Sequence, residues 1–146
     1  MNNLYTWLKF LHLLGLVVFV MPHGVSAAVS FAVRGQATDQ ARRLLMLSQR
    51  ASFVSNPGLL LLVVTGVWMG FVAGWWGQKW IWTAIVVLVL VGVAMGALAR
   101  PYYLAREAKD DAGIAEALSN GRPAIAAAIG GAGFLILIFL MVFKPF

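Results

Sequence analysis

The sequence predicts an all-α integral membrane protein, an up-and-down bundle of four transmembrane helices, and two observations predict this fold. Hydrophobic residues make up 62% of the 146-residue chain, well above the ~45–50% that is usual in soluble domains. Most of them lie in four long runs, and each run can supply the ~20 residues that cross a bilayer as a helix. We predict one transmembrane domain over residues 1–146, with spans at about 7–33, 51–73, 80–99 and 124–143.

The spans are predicted from their lengths and breaks. The first continues without a charged residue to Val33, which is too long for the apolar part of a signal peptide, so we expect it to be retained. The second reaches full length only if it begins near Ala51, with Asn56-Pro57-Gly58 inside it. The fourth is expected to begin at Pro123, because proline is favoured in the first turn of a helix.

Basic residues predict the orientation. The connections after the first and third spans hold eight of the eleven Lys and Arg residues and all five acids. The positive-inside rule therefore places these connections in the cytoplasm and both termini outside. The net charge of +6 is explained by basic loops that face anionic lipid headgroups. No basic run or nucleic-acid motif is present, so we expect membrane lipids as partners and no nucleic acid.

Both cytoplasmic connections are expected to contain short helical extensions. Thr38-Asp39 suits the cap of a helix that leads towards the second span. Pro101 suits the first turn of a short helix that runs to about Leu118. These segments would extend the spans or lie in the membrane interface.

Small residues at four-residue spacing predict close helix contacts. We expect these rows to pack the helices of one chain together rather than to form a dimer, although a homo-oligomer or a larger membrane complex stays open. The rows are Gly66, Gly70 and Gly74, then Gly92 and Gly96, and finally Ala126, Gly130 and Gly133.

Several classes of chemistry are excluded by composition. Cysteine is absent, which removes disulfides, thiolate nucleophiles and iron–sulfur clusters. No carboxylate lies within a predicted span, which argues against a proton- or sodium-coupled transporter. Redox activity would therefore require a bound cofactor.

The two histidines, His12 and His23, are the most informative polar residues, because both lie in the first span. Eleven residues at ~100° each return close to the starting direction, so the imidazoles share one helix face about 16 Å apart. Imidazole can ligate haem iron, bind copper or relay protons. The structural alternative is a neutral histidine that forms a hydrogen bond with a Ser, Thr or carbonyl group of a neighbouring helix.

Short motifs along the chain resemble a group of small bacterial membrane proteins. They are Trp7-Leu8-Lys9-Phe10-Leu11-His12, Asn56-Pro57-Gly58 with Thr65-Gly66-Val67-Trp68, and Lys144-Pro145-Phe146. The group includes the HemJ-type protoporphyrinogen oxidases, the CopD-type copper-resistance domain and an uncharacterised relative with four predicted spans, which the chain resembles most. The resemblance covers the whole chain and implies a location in the bacterial inner membrane.

The resemblance also implies a cofactor and its ligands. HemJ-type enzymes are understood to bind haem b through a histidine on the first span and to use a lysine before the third. His12 and Lys79 occupy those positions here. The second histidine of these enzymes, within the third span, has no counterpart, and Met95 is the conceivable axial ligand in that stretch. Because this histidine is missing, oxidoreductase activity stays open.

Three functions follow as hypotheses. In the leading one, the protein binds haem b or a porphyrin for electron transfer or tetrapyrrole handling. In the second, it is a cofactor-free accessory or assembly subunit that docks on a larger membrane complex through its glycine faces and cytoplasmic helices. The third is copper handling, because imidazole and thioether groups suit copper. Its metal ligands would be His12 and His23, with the methionines Met1, Met21 and Met69.

Overall fold

The computed structural model describes residues 3–36 and 38–145, and within them every long element is an α-helix. Four of these helices are long and apolar enough to cross a membrane. This confirms the predicted all-α fold with four candidate spans. In chain order the helices are α1 Asn3–Ala32, α2 Thr38–Val72, α3 Lys79–Glu107, α4 Asp111–Ser119 and α5 Pro123–Phe143, with a 3-10 helix at Trp75–Gly77 between α2 and α3.

The helices extend beyond the predicted spans. α2 begins at Thr38, where the capping pattern places a helix start, and continues through Pro57 to Val72. The first connection is therefore a helical extension of the second span. α5 begins at Pro123, as predicted, with the proline in its first turn. The cytoplasmic placement of these segments stays a prediction.

The helix start that we predicted at Pro101 is wrong, because α3 continues through Pro101 to Glu107. This part of the connection is instead an extension of the third span, one of the two predicted alternatives. One proline removes a single backbone donor, and the buried Ala105 keeps this stretch packed. The helix ends at Glu107, because the next residue, Ala108, has an extended backbone. Asp110 then starts α4, because its Oδ1 accepts a hydrogen bond from the Gly113 N–H at 2.9 Å. A side-chain cap thus decides the boundary that we had assigned to proline.

The chain forms two compact units. The first unit contains Met1–Ser26 and Ser48–Gly77, which include most of α1 and α2. The second contains Ala27–Leu47 and Gln78–Phe146, which include α3, α4 and α5.

In the first unit, α1 and α2 run antiparallel. Near one end the ring of Tyr5 meets the ring of Trp75 edge-on, with centroids 6.0 Å apart. Towards the other end the Ser26 hydroxyl donates a hydrogen bond to the Ser48 carbonyl at 3.2 Å. Residues early in α1 therefore face residues late in α2, and the reverse.

Two glycines bring the backbones of α1 and α2 into contact between these ends. A Cβ on Gly58 would lie 2.6 Å from the backbone nitrogen of Phe19, and one on Gly15 would lie 2.8 Å from that of Leu62. Neither position has room for a side chain. Ser55, which is buried, closes the same contact by donating to the Phe19 carbonyl at 3.0 Å. Such close approach is how membrane helices gain packing energy without a hydrophobic driving force.

In the second unit, α3 and α5 also run antiparallel. Gly133 lies against the side chain of Val91, and a Cβ on Gly130 would lie 3.4 Å from the Met95 sulfur. The predicted glycine row of α5 therefore does lie at a helix contact. Gly92 and Gly96 of α3 differ, since a Cβ placed on either has no described heavy atom within 4 Å apart from its chain neighbours and the adjacent backbone of its own helix.

A small apolar core lies at the end of this unit that contains α4. It joins the end of α1, the start of α2, the end of α3 and α4 through five buried residues, Val33, Ala41, Leu45, Ala105 and Ile114. At its edge the Arg42 guanidinium lies 3.7 Å from the Asp111 carboxylate. The same guanidinium donates to the Lys109 carbonyl at 3.4 Å. α4 is thus held in place by apolar packing and by contacts of one arginine.

We expect Gly58→Ala to destabilise the protein, because the added methyl group must push the two backbones apart. Overpacking of this kind typically costs about 1–3 kcal/mol. The matched control is Gly24→Ala in α1, where a Cβ meets nothing within 4 Å among the described residues. That change should be neutral or stabilise by up to ~1 kcal/mol. The free energy of unfolding in mixed micelles measures both, and equal effects would contradict the proposed contact.

Candidate cofactor site at His12

His12 is held by α2 through one ring nitrogen. Its Nδ1 lies 2.9 Å from the Leu62 carbonyl oxygen and 3.2 Å from the Thr65 Oγ1. The ring itself is half-buried between α1 and α2 of the first unit. This is the structural role that the sequence left open for this residue, a histidine that forms hydrogen bonds with a neighbouring helix.

These contacts determine which nitrogen carries the proton. A carbonyl oxygen can only accept, so the Nδ1 of His12 must donate to Leu62. The Thr65 hydroxyl donates to the Leu61 carbonyl at 2.6 Å, which leaves its oxygen free to accept as well. In a neutral imidazole with a protonated Nδ1, the lone pair lies on Nε2. Among the described residues, every hydrogen bond of His12 involves Nδ1.

Gly66 makes room for the imidazole. A Cβ at this position would lie 3.0 Å from the Cε1 and 3.4 Å from the Nδ1 of His12. Leu62, Thr65 and Gly66 are spaced three and four residues apart, so they share one face of α2. That face supplies two hydrogen-bond acceptors, the Leu62 carbonyl and the Thr65 hydroxyl, and space for the imidazole at Gly66. Together these features orient the ring.

His23 has a different environment. Its ring stacks on the ring of Phe19, with centroids 5.1 Å apart and planes 27° apart. No hydrogen bond to a neighbouring helix is present for it within residues 3–36 and 38–145. Because α1 is one continuous helix, His12 and His23 lie about 16 Å apart along its axis. The two predicted metal ligands therefore cannot share one ion.

The other predicted site residues belong to different places. Lys79 is the exposed first residue of α3, and its carbonyl accepts from the Thr83 hydroxyl at 3.1 Å. Met95 is half-buried, with its sulfur against Gly130. Both lie in the second unit, whereas His12 lies in the first. Their roles as cofactor-binding residues stay predictions.

The methionines proposed as copper ligands differ in their exposure. Met69 is buried and Met21 is 69% exposed, whereas Met1 lies outside the described residues, as does Phe146 of the C-terminal motif. The part of the chain that the structure describes contains no group of three or more His, Asp or Glu side chains able to hold a metal ion. Any metal at His12 would therefore need ligands besides such residues.

Comparison with known proteins identifies the family. The family described as "Predicted integral membrane protein (DUF2269)" matches residues 6–145, almost the whole chain. The chain belongs to the DUF2269 family. No curated protein and no solved structure gives a significant match to it. The match shows an integral membrane protein family, and it does not bear on the resemblance to HemJ-type and CopD-type proteins.

In this DUF2269 protein, the sequence could point to only part of the His12 site. His12 was found because it is one of two histidines within an apolar run. The Thr65 hydroxyl bonds to its own helix at the Leu61 carbonyl, and its contact with His12 was not predicted. Backbone acceptors such as the Leu62 carbonyl have no signature in a sequence. The adjacent Thr65 and Gly66 in one apolar run and a histidine in another are the sequence signal that could have predicted this contact.

Replacing the acceptor hydroxyl of Thr65 should weaken the attachment of His12. We expect Thr65→Val, which keeps the shape, to lower the free energy of unfolding by about 0.5–1.5 kcal/mol, the usual range for one interhelical hydrogen bond. Thr83→Val is the control, because the Thr83 hydroxyl bonds only within its own helix. The nitrogen chemical shifts of His12 should also report a protonated Nδ1 in the unmodified protein. A protonated Nε2 would contradict the assigned tautomer.

Proposed function

We propose that this protein binds haem b or a porphyrin in the membrane, with His12 as the axial ligand, for electron transfer or tetrapyrrole handling. The observation that carries the proposal is that the two ring nitrogens of His12 have different environments. Nδ1 is engaged by the Leu62 carbonyl and the Thr65 hydroxyl, so the lone pair of Nε2 is available. A ligating histidine commonly donates its other N–H to a backbone carbonyl in this way.

The donor set favours a tetrapyrrole over a free ion. One imidazole is a weak site for a bare cation, which usually takes three or four protein ligands. Haem iron brings four ring nitrogens and needs only one or two axial groups from the protein. His12 fits that requirement by itself, and four-helix membrane and soluble bundles do build such sites from inward side chains.

The residues around His12 would act by orientation and by electronic effect. The Leu62 carbonyl, as acceptor from Nδ1, increases the basicity of Nε2. Thr65 restricts the rotation of the ring, and Gly66 allows the ring to lie against α2. A haem bound there supplies one-electron redox chemistry, whereas a metal-free porphyrin would be cargo or substrate.

Features implied by the resemblance to HemJ-type proteins complete this proposal. Lys79 and Met95 would be further cofactor-binding residues, and Met95 would offer a thioether in place of the missing histidine. The protein would reside in the bacterial inner membrane. An oxidoreductase reaction on the tetrapyrrole would be one use of such a site, and simple electron transfer would be another.

A second candidate is an accessory subunit of a larger membrane complex. The observation that favours it is the face of α3 around Gly92 and Gly96. Apart from chain neighbours and the adjacent backbone of α3 itself, no described heavy atom lies within 4 Å of a Cβ added there. Val93, beside this face, is 69% exposed. A partner helix could approach there closely. This function predicts co-purification with a partner that Gly92→Leu disrupts, together with full activity of the complex when His12 is replaced.

Absorption spectroscopy tests the haem proposal. Protein produced with haem available and purified in detergent should show a Soret band that shifts on reduction with dithionite. His12→Ala should abolish it, whereas His23→Ala, a change of the other histidine on the same helix, should leave it. Thr65→Val should weaken haem binding by about tenfold, as loss of a supporting hydrogen bond does at metal sites.

Two outcomes would contradict the proposal. One is a colourless preparation of folded protein that takes up neither haem nor protoporphyrin IX when either is added. The other is a Soret band of equal intensity in the His12→Ala and unmodified proteins. The helical content of each variant, followed by circular dichroism, shows whether the comparison is between folded proteins.

A further inference from the structure

Asn56 places an exposed amide inside a candidate membrane span. It lies in α2, which ends at Val72. A hydrocarbon core of ~30 Å takes about 20 helical residues, and counting back from Val72 these begin near Phe53. The side chain of Asn56 is exposed, and it forms no hydrogen bond with any residue in the ranges 3–36 and 38–145. An amide in contact with hydrocarbon is unfavourable unless its polar groups find partners.

The geometry of α2 turns Asn56 away from α1. Ser55 and Gly58 are the residues that contact α1 here, at the carbonyl and the nitrogen of Phe19. Successive residues of a helix are ~100° apart around its axis, so Asn56 points about 100° or more away from both of these contacts. The Asn56 amide is therefore not part of the interface between α1 and α2.

Exposed apolar side chains continue the face of Asn56 along α2. They follow at alternating spacings of three and four residues, the repeat of helices that pack side by side. Phe53 is 83% exposed and Leu60 is 65% exposed, so the described part of the chain leaves most of each side chain uncovered. We name this surface the Asn56 face, and its residues are Phe53, Asn56, Leu60, Val63 and Val67.

We propose that the Asn56 face binds the same face of a second copy of this chain, so that two α2 helices pack side by side in the membrane. Two copies follow the same orientation rule, so their α2 helices are parallel and their Asn56 residues lie at the same depth. In a two-fold symmetric contact, a residue near the axis faces its own counterpart. An asparagine amide both donates and accepts, so the two Asn56 side chains satisfy each other.

The polar groups of the Asn56 face favour a second copy over lipid. Acyl chains have no hydrogen-bonding groups, so they would cover Phe53 and Leu60 but leave the Asn56 amide unsatisfied. Pro57 adds a second reason, because its nitrogen carries no hydrogen and the Phe53 carbonyl therefore lacks its usual helical donor. Neighbouring membrane helices commonly satisfy a carbonyl of this kind.

A single asparagine in an otherwise apolar repeat also determines the register of two parallel helices. Asn56 occupies such a position, with apolar residues before and after it on the same face. The proposed contact does not depend on the tetrapyrrole function, because His12 belongs to the face of α1 that meets α2. Loss of the dimer and loss of the Soret band are therefore separate results.

Energy transfer between donor- and acceptor-labelled full-length protein in phosphatidylcholine vesicles measures the association. Asn56→Leu should raise the dissociation constant about tenfold, because it removes the hydrogen bonds between the two helices, whereas Asn56→Gln, which keeps an amide, should raise it less than about threefold. Leu60→Ala should also weaken the association. Leu135→Ala of α5 is the matched control, with a side chain that is 67% exposed, and should leave it unchanged. A monomer at every protein-to-lipid ratio, or equal association of the Asn56→Leu and unmodified proteins, would overturn the proposal.

Disulfide cross-linking locates the contact, because the chain has no cysteine of its own. Leu60→Cys and Val54→Cys each replace an exposed side chain of α2, and the two positions lie ~120° apart around the helix. A disulfide requires Cα atoms within ~7 Å of each other, so mild oxidation in vesicles should link Leu60→Cys about tenfold faster than Val54→Cys. Equal rates would indicate random collisions and overturn the site. This comparison keeps Asn56, so it decides the matter even if Asn56→Leu fails to fold.

Discussion

The backbone contact between α1 and α2 at Gly15 and Gly58 is the constraint on which the first unit depends. With water excluded, helices gain little from burying apolar side chains, and association rests on close packing and on interhelical hydrogen bonds. The two glycines supply the packing because neither has space for a Cβ. The short distance that they set allows Ser55 to reach the Phe19 carbonyl and His12 to reach the Leu62 carbonyl. Without this contact, the same polar groups would face lipid unpaired.

The same contact determines the orientation of His12, the ligand of the proposed cofactor site. Nδ1 of His12 stabilises the helix pair, and Nε2 is left with a lone pair whose direction is determined by that attachment. The proposed site would therefore be organised before a cofactor binds, and little orientation entropy would be lost on binding. His23 lacks such an attachment, since it stacks on Phe19 of its own helix. The two imidazoles are therefore unequal in the structure, although the sequence presents them as a pair.

The second unit depends on charge and capping at its ends more than on glycine. Asp110 caps α4 and Arg42 joins it to the start of α2, so the acids of this unit are used where the basic residues are most numerous. At the other end, Lys144 closes α5 above Trp80.

Composition and run length by themselves determined the fold class, because a chain with four apolar runs has few ways to satisfy its backbone in lipid except as helices. The starts of α2 and α5 were also predictable, since Thr38 and Pro123 are local signals. The end of α3 was not, because a proline can be tolerated inside a helix and the competing cap at Asp110 decides the boundary. Nor could the sequence show which of its glycines lie at helix contacts. Gly15 and Gly58 belong to no predicted row, yet they bring two backbones together. At the regularly spaced Gly92 and Gly96, an added Cβ would meet no described atom within 4 Å beyond its chain neighbours and the adjacent backbone of α3. Only the tertiary structure decided which nitrogen of His12 is engaged, because its principal acceptor is a main-chain carbonyl fifty residues away, and every residue in a chain carries one of those.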